Sequence, residues 1–416
     1  MTENLDVKVV AKSDHYASRV LDVRLSSDVR VTTPSRGMFL GSSSLCEAMF
    51  SSVLGGTSVV ELYRPLWRSV IEKIDHNNDR QRDFISRVLP KGQPADLANR
   101  LLLILYRLVE GRAEAPWLPT EQQTDYIADL MTALPVRAVV PPALSGFPIE
   151  DTIAFIRRFI VRVRSNSHLP VIGLIPYLDS WRDQELLQAF YLREGITSYV
   201  WDMHGHTPGG LAVNLRSLVA HLGRIDKEHG PHYAHALNVK YSQERAAKPI
   251  LPARDLLLLF EAFDSFGASH VRPRLDEATR KKFLEQPRAP TIRLLDRETY
   301  GYQIVGAGSA ESILKGQFAA LDRPDASHWI GDRSHRDPRQ LKKVATLLSA
   351  EIAAMEAASI AQRIREKPDD KLLDGKAAIS AEIPFVKSAR TVYAGDEEAS
   401  RGKGRTREHK ALDELI

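Results

Sequence analysis

The stretch SYVWDMHGHTPGGLAVNLRSLVAHLGRI, residues 198–225, holds one complete structural unit. A short apolar run ends at Asp202, glycines follow, and then Leu211, Leu215, Leu218, Val219, Leu222 and Ile225 recur at helical spacing. A buried strand followed by a helix that covers it is the repeating piece of a parallel α/β sheet or barrel.

The same rhythm extends in both directions. Strands are expected at VRVTTPS from Val29, SVVELYR from Ser58, VRAVVPP from Val136, VIGLIPYL from Val171, SYVWD from Ser198, YAHALNV from Tyr233, SHVRPRL from Ser269 and TIRLLD from Thr291. A helix is expected in DQELLQAFYLREG, where Leu186, Leu187, Phe190 and Leu192 are followed by a stop at Gly195. Eight strands is the barrel number, so the expected fold is α/β, a (β/α)8 TIM-like barrel with a helical insertion and a helical C-terminal region. Residues 1–65 carry the first strands of the barrel. Residues 66–133 read as the insertion, because patterns such as ADLANRLLLILYRLVEG give no convincing strand. Residues 134–323 hold the remaining strands and the candidate site. From 324 to 390 a long helix is expected, with Leu341, Val344, Leu348, Ile352 and Met355 on one side, and 391–416 is a polar tail.

Composition bounds the function. With 416 residues, 43% hydrophobic and 26% charged, the chain can bury a large core and is that of a soluble globular protein. Lys plus Arg number 57 against 53 Asp plus Glu, and a net charge of +4 permits a nucleic-acid partner without demanding one. Cys46 is the one cysteine, which excludes an internal disulfide or a cluster of thiolates from this chain. The opening MTENLDVKVVAKSDHY has charges where a secretory signal has an apolar core, and no apolar run approaches the roughly 18 residues of a membrane helix. A cytoplasmic setting without a membrane partner is the expectation.

In a barrel of this type the reacting groups stand at the C-terminal ends of the strands. Those ends are polar here: Tyr177 and Asp179, then Asp202 and His204, then Asn238 and Lys240, with Asp264 in LFEAFDSFGASHVRP and His270 shortly after. Asp179 stands ahead of a helix and suits a cap as well as a binding role. Asp264 lies between Phe263 and Phe266, where a bare carboxylate is costly unless paired or put to use. His204 and His206, with Asp202, His235, Asp264 and His270, define a divalent-metal reading in which a metal-dependent barrel hydrolase activates water. Gly205, Gly209 and Gly210 allow close backbone approach or a turn. No Walker loop, dinucleotide fingerprint or nucleophile elbow is present.

From about Val171 to Pro273, a quarter of the chain, the order of these elements resembles the tRNA-guanine transglycosylase superfamily, including its relatives that place 7-deazaguanines in DNA. VIGLIPYL stands where those enzymes present a polar group to the base, and YVWDMHG where a glycine-containing strand end lies against it. YAHALNV matches the strand leading to a further pocket loop, and EAFDSFG looks like the Phe-Asp element that carries the family's nucleophile. The resemblance implies Asp264 as nucleophile and Asp202, with the backbone near Gly205, as a holder of the base; Asp179 is the nearest candidate for the second acid–base group. Tyr177, Trp201 and Met203 would supply the faces that clamp a flipped base, with Asn238 beside them, and Arg272, Arg274, Arg280, Lys281 and Lys282 would receive the phosphate backbone. The family's early Asp-Ser-Gly-Gly-Phe-Gln element and its three-cysteine zinc site are missing; GMFLGSSSLCEAMF stands near the place of the former.

The expected activity is therefore base exchange, guanine for a 7-deazaguanine in tRNA or DNA, without a cofactor, in an enzyme that acts alone, as a homodimer or with a partner protein. The alternatives are the hydrolase, using Asp202, His204, His206 and His270, and a barrel that binds nucleic acid without catalysis. The cationic tail, with Arg401, Lys403, Arg405, Arg407 and Lys410, reads as a solvated segment able to touch phosphates.

Overall fold

The computed structural model describes residues 4–26, 29–39, 59–75, 77–89, 99–111, 115–178, 180–241, 249–270, 281, 291–306, 309, 312–316, 338–366 and 371–395. The fold is mixed α/β with several parallel sheets. It begins with β1 (Asp6–Lys12), β2 (Arg19–Arg24) and β3 (Arg30–Thr32), which form an antiparallel sheet of their own. Residues expected to open the parallel array are therefore divided, and VRVTTPS is split between β3 and the short β4 (Ser35–Arg36). Next come β5 (Met38–Phe39), β6 (Val59–Trp67), the helices α1 (Arg68–Ile74) and α2 (Asn78–Val88), and β7 (Leu101–Val109).

β7 is the main departure from expectation. It runs parallel to β6 in unbroken register, from Val59 opposite Leu101 to Trp67 opposite Val109. Leu101, Leu103 and Leu105 enter one apolar cluster and Leu102, Ile104 and Tyr106 another. A strand buried on both faces has no alternation of apolar and polar residues, which is why LLLILYRLV resembles a helix in sequence. The 66–133 stretch thus contains a central strand as well as helices.

Beyond it α3 (Glu121–Thr132) starts at a capping box formed by Thr120 and Gln123, and α4 (Ile149–Asn166) packs on it. β8 (Gly173–Ile175), α5 (Trp181–Arg193), β9 (Tyr199–Asp202), α6 (Ala212–Glu228) and β10 (Ala234–Leu237) follow the expected strand and helix alternation. β11 (Ile250–Pro252) leads through a short 3-10 helix, Arg254–Phe260, into β12 (Ser265–Phe266). The strand expected from Ser269 lies here instead, four residues earlier at its start, because Ser265 and Phe266 are the residues that pair with β10 and β4. VRAVVPP makes no ladder, only single parallel bridges, Val139 with Val171 and, just past it, Ala143 with Arg107.

Two parallel sheets result, in the orders β4-β12-β10-β9-β8 and β5-β6-β7. TIRLLD is β13 (Thr291–Asp296), antiparallel to β14 (Gly301–Gly306), and with β11 it forms a separate sheet outside the parallel array. The long helix α7 (Pro338–Glu366) packs on β13, burying Leu341, Val344, Leu348 and Ile352 as expected while Met355 is exposed. Its Val344–Glu366 part is long and apolar enough by composition to cross a membrane, a length the sequence reading did not anticipate, and 67% of the apolar window is buried inside the fold. The last described helix, α8 (Ile383–Ala394), lies against α6 so closely that a methyl group on Gly223 would meet the Tyr393 carbonyl at 2.0 Å.

One buried ion pair joins these parts. The Arg19 guanidinium on β2 grips both oxygens of Asp264 at 2.8 Å, donates to the His232 carbonyl at 2.9 Å and to the Tyr393 hydroxyl on α8 at 3.0 Å. Asp264 also accepts the Ala234 N–H at 2.7 Å, beside the first residue of β10. Burial pushes the Asp264 carboxyl up, and Arg19 with the Ala234 N–H opposes it. Removing one member leaves the other charge buried without compensation. Asp264→Ala is expected to cost about 3–5 kcal/mol of unfolding free energy in denaturant titration, against under about 1 kcal/mol for Asp6→Ala in the exposed Asp6–Arg24 pair.

Glu261 is the opposite case. It is buried between α6 and α8, near Leu215, Val219, Phe385 and Val392, and neither carboxylate oxygen has a hydrogen-bond partner among the described residues. Burial alone pushes its pKa from 4.5 up to about 8. A carboxyl whose folded pKa is raised favours the folded state most below its unfolded value; that contribution is lost as pH rises from about 4.5 through about 8. Glu261→Gln is therefore expected to match the parent in thermal midpoint at pH 5 and to exceed it at pH 9.

Candidate functional site

The polar groups gather where the parallel strands end. Asp202 closes β9 and stands opposite Leu237, the last residue of β10. Its Oδ1 accepts the Asn238 Nδ2 at 2.7 Å and the His204 backbone N–H at 2.8 Å. Burial pushes the Asp202 carboxyl up, and these two hydrogen bonds hold it back only in part. Asn238, just past β10, adopts a left-handed backbone at φ 58° that an asparagine tolerates, and its Oδ1 accepts the His270 N–H at 2.9 Å. Gly205, at φ 75°, brings its N–H within 2.8 Å of the Asn238 carbonyl, so the loops after β9 and β10 are fastened to each other.

Glu61 is the centre of the other half. It sits mid-strand on β6, fully buried, and its Oε2 accepts the His270 Nε2 at 2.9 Å. His235 Nε2 on β10 stands 3.0 Å from Oε1, at ion-pair distance though bent from the line of a hydrogen bond. Burial alone would raise this carboxyl; the two histidines outweigh it and hold the pKa down at about 2. Room for the carboxylate comes from two missing side chains. A Cβ on Gly37 would lie 2.4 Å from Oε1, and one on Gly267 would lie 1.6 Å from it. Behind His235, Ser265 Oγ lies 2.7 Å from Nδ1 and 2.5 Å from the Tyr233 hydroxyl. The His270 ring rests between Phe39, at 4.5 Å, and Tyr63, stacked at 5.4 Å.

The sequence-derived candidates divide by strand face and strand end. Asp202, Asn238 and His270 come together, with His204 beside them. Tyr177 stacks on His204 at 5.4 Å and on His206 at 5.2 Å, an aromatic wall at the end of β8 and β9. Trp201 and Met203 do not join them: both are buried in the larger apolar cluster, Trp201 stacked on Phe263, because they alternate with Asp202 along the chain. Asp264 lies beside the first residue of β10 and Asp202 beside the last, about 10 Å apart along a strand. Asp264 spends both oxygens on Arg19. Lys281 is exposed. Asp179, Arg272, Arg274, Arg280 and Lys282 lie outside the described residues; the helix after Asp179 is capped by Ser180, whose side chain accepts the Asp183 N–H. Among the described residues no group of three or more His, Cys, Asp and Glu side chains is placed to hold a metal ion.

Sequence reading passed over Glu61, Tyr233 and Ser265. Glu61 had a legible signal, a single acid inside the apolar run VVELY, where a charge without a partner is costly. No protein-family model matches the chain, and no curated protein matches it either.

The Gly267 slot can be tested by filling it. Gly267→Ala is expected to force Glu61 aside and cost about 1–3 kcal/mol in chemical denaturation, while Gly209→Ala, whose added methyl meets nothing within 4 Å, is expected to change stability by under about 0.5 kcal/mol.

Proposed function

We propose that this chain is a base-exchanging transglycosylase, replacing guanine by a 7-deazaguanine in nucleic acid, and that its reacting groups are Asp202, Glu61 and His270 rather than Asp264. The observation that carries this reading is the hydrogen-bonded path from Glu61 through His270 and Asn238 to Asp202, two buried carboxyls in different surroundings. Glu61 is held ionised at a pKa of about 2, Asp202 is pushed up, and His270 links them through Glu61 and Asn238. Glu61, ionised beside His270, suits that imidazole to carry a proton, and Asp202, held by Asn238 and the His204 N–H, is the carboxyl left to attack once it is ionised.

The fold inferred with it is a closed (β/α)8 barrel. The two parallel sheets meet at Gly37, between β4 and β5, and the Arg107–Ala143 and Val139–Val171 bridges span the gap between β7 and β8. Val59, Leu103, Ile172, Val200 and Leu237, from both sheets, share one apolar cluster, as the interior of a barrel requires. On this reading Asp202 stands at the mouth at the C-terminal strand ends, where such enzymes carry their chemistry, and Glu61, within β6, reaches it from the barrel interior through His270.

The reaction follows as a retaining double displacement. An ionised Asp202 oxygen forms a bond to the sugar C1′ as the bond from C1′ to the base nitrogen breaks, its electron pair leaving with the guanine. His270, carrying protons on both ring nitrogens at this step, gives that nitrogen the one on Nδ1 and keeps the one on Nε2. The incoming 7-deazaguanine returns a proton to His270, its nitrogen bonds to C1′, and Asp202 is released. Tyr177 and Tyr63 offer aromatic faces for a base taken out of its stack. Asp264 keeps the structural role of a partner for Arg19.

Incorporation of labelled guanine into tRNA and into duplex DNA tests this directly. Wild-type protein is expected to incorporate label into one of them, Asp202→Asn to lose at least about 100-fold in rate, and the folded fraction of Asp264→Asn to keep most of it. Unimpaired exchange by Asp202→Asn would overturn the assignment, and no exchange into either polymer by the wild type would overturn the reading itself.

A further inference from the structure

The mechanism above uses Glu61 and His270 and leaves unexplained why a tyrosine, a serine and a second histidine stand in line behind them. Tyr233, Ser265 and His235 are all fully buried, and their polar atoms follow one another at 2.5 and 2.7 Å before reaching Glu61 at 3.0 Å. We propose that His235 and Ser265 are positioning residues for His270: they fix Glu61 so that His270 keeps its proton on Nε2 and presents the Nδ1 lone pair to the mouth. This rests on the reading of His270 as the proton carrier.

Proton counting sets the direction of the chain. The Tyr233 hydroxyl has Ser265 Oγ as its partner among the described residues, and burial pushes its pKa well up, so it remains a donor. Ser265 receives that proton and has its own left for His235 Nδ1. An imidazole that accepts at Nδ1 carries its hydrogen on Nε2, facing Glu61 Oε1. The reverse order would leave the phenol proton buried without an acceptor and set a lone pair of His235 against a carboxylate, and both are costly. Every donor therefore points toward Glu61.

At Glu61 the alignment is handed on. The carboxylate lies against the backbone of Gly37 and Gly267, in space that a Cβ at either position would fill. With Oε1 turned to His235, Oε2 is the atom that receives His270 Nε2, at 2.9 Å. Phe39 and Tyr63 both contact the His270 ring, and its backbone N–H is tied to Asn238. Nδ1 of His270 makes no hydrogen bond to a described residue. That nitrogen is the one left for a substrate proton.

The tautomer of a histidine is read from long-range proton–nitrogen correlation spectra of the full-length protein labelled with 15N at histidine, recorded at about pH 8. His270 signals are identified by their loss in His270→Gln. The expected result is a single Nε2–H form of His270 in the wild type, replaced by a mixture in Ser265→Ala and in His235→Asn, with kcat reduced at unchanged KM. Tyr233→Phe removes one oxygen only and serves where Ser265→Ala does not fold. An Nδ1–H form in the wild type, or a pattern unchanged in folded Ser265→Ala and His235→Asn, would overturn the proposal. Base exchange measured on the same samples separates the two ideas. The expected tautomer pattern without exchange removes the transglycosylase reading and leaves the positioning intact, whereas exchange with the wrong pattern removes the positioning alone.

Discussion

A guanidinium taken out of water must be surrounded by acceptors, and at Arg19 that requirement organises the molecule. Asp264 lies 245 residues along the chain and Tyr393 374, yet both reach the same side chain. The antiparallel sheet, the start of β10 and the last described helix are held at one point by a group that has no acceptable position elsewhere. Everything at the far ends of the strands depends on this, because Asp202 and Asn238 stand on the strand pair that Asp264 anchors from below.

Polar groups inside this fold fall into three conditions. Arg19 and Asp264 satisfy each other, Glu61 meets two imidazoles, one through a hydrogen bond and one at ion-pair distance, and Glu261 has no hydrogen-bonding partner among the described residues. The first gives rigidity, the second keeps a carboxylate ionised in the interior, and the third ties helix docking to the proton. Proteins tolerate local violations of the rules of burial chiefly at sites that do something. The Glu61 arrangement is the one joined to a strand end, through His270 and Asn238 to Asp202.

The strands and helices from Val171 to Leu237 were legible because β8 and β9 are short buried runs each followed by a helix of clear period, and β10 is a short run after the second of those helices. β7 was not, since burial on both faces erases alternation, and TIRLLD was misplaced because strand propensity does not say which sheet a strand joins. In the site, the acids at strand ends were visible as types. Which end of a strand they occupy was not: Asp264 and Asp202 look equivalent in sequence, and only pairing register puts one at the start of β10 and the other at its finish. Glu61 stands out as a lone acid inside the apolar run VVELY, but its partners His235 and His270 lie far along the chain and are brought to it only by the fold.

Helix α7 combines a mean hydropathy of 1.4 over an 18-residue window with a place on the flank of the β11-β14-β13 sheet. Once docked, that composition is simply core. Before docking it is a 23-residue greasy rod in water. Such a segment seeks any apolar surface within reach, including its own copy on another chain. The small sheet is thus a shelter as much as a structural appendage, and β4 with the antiparallel β1 and β2 completes the cover.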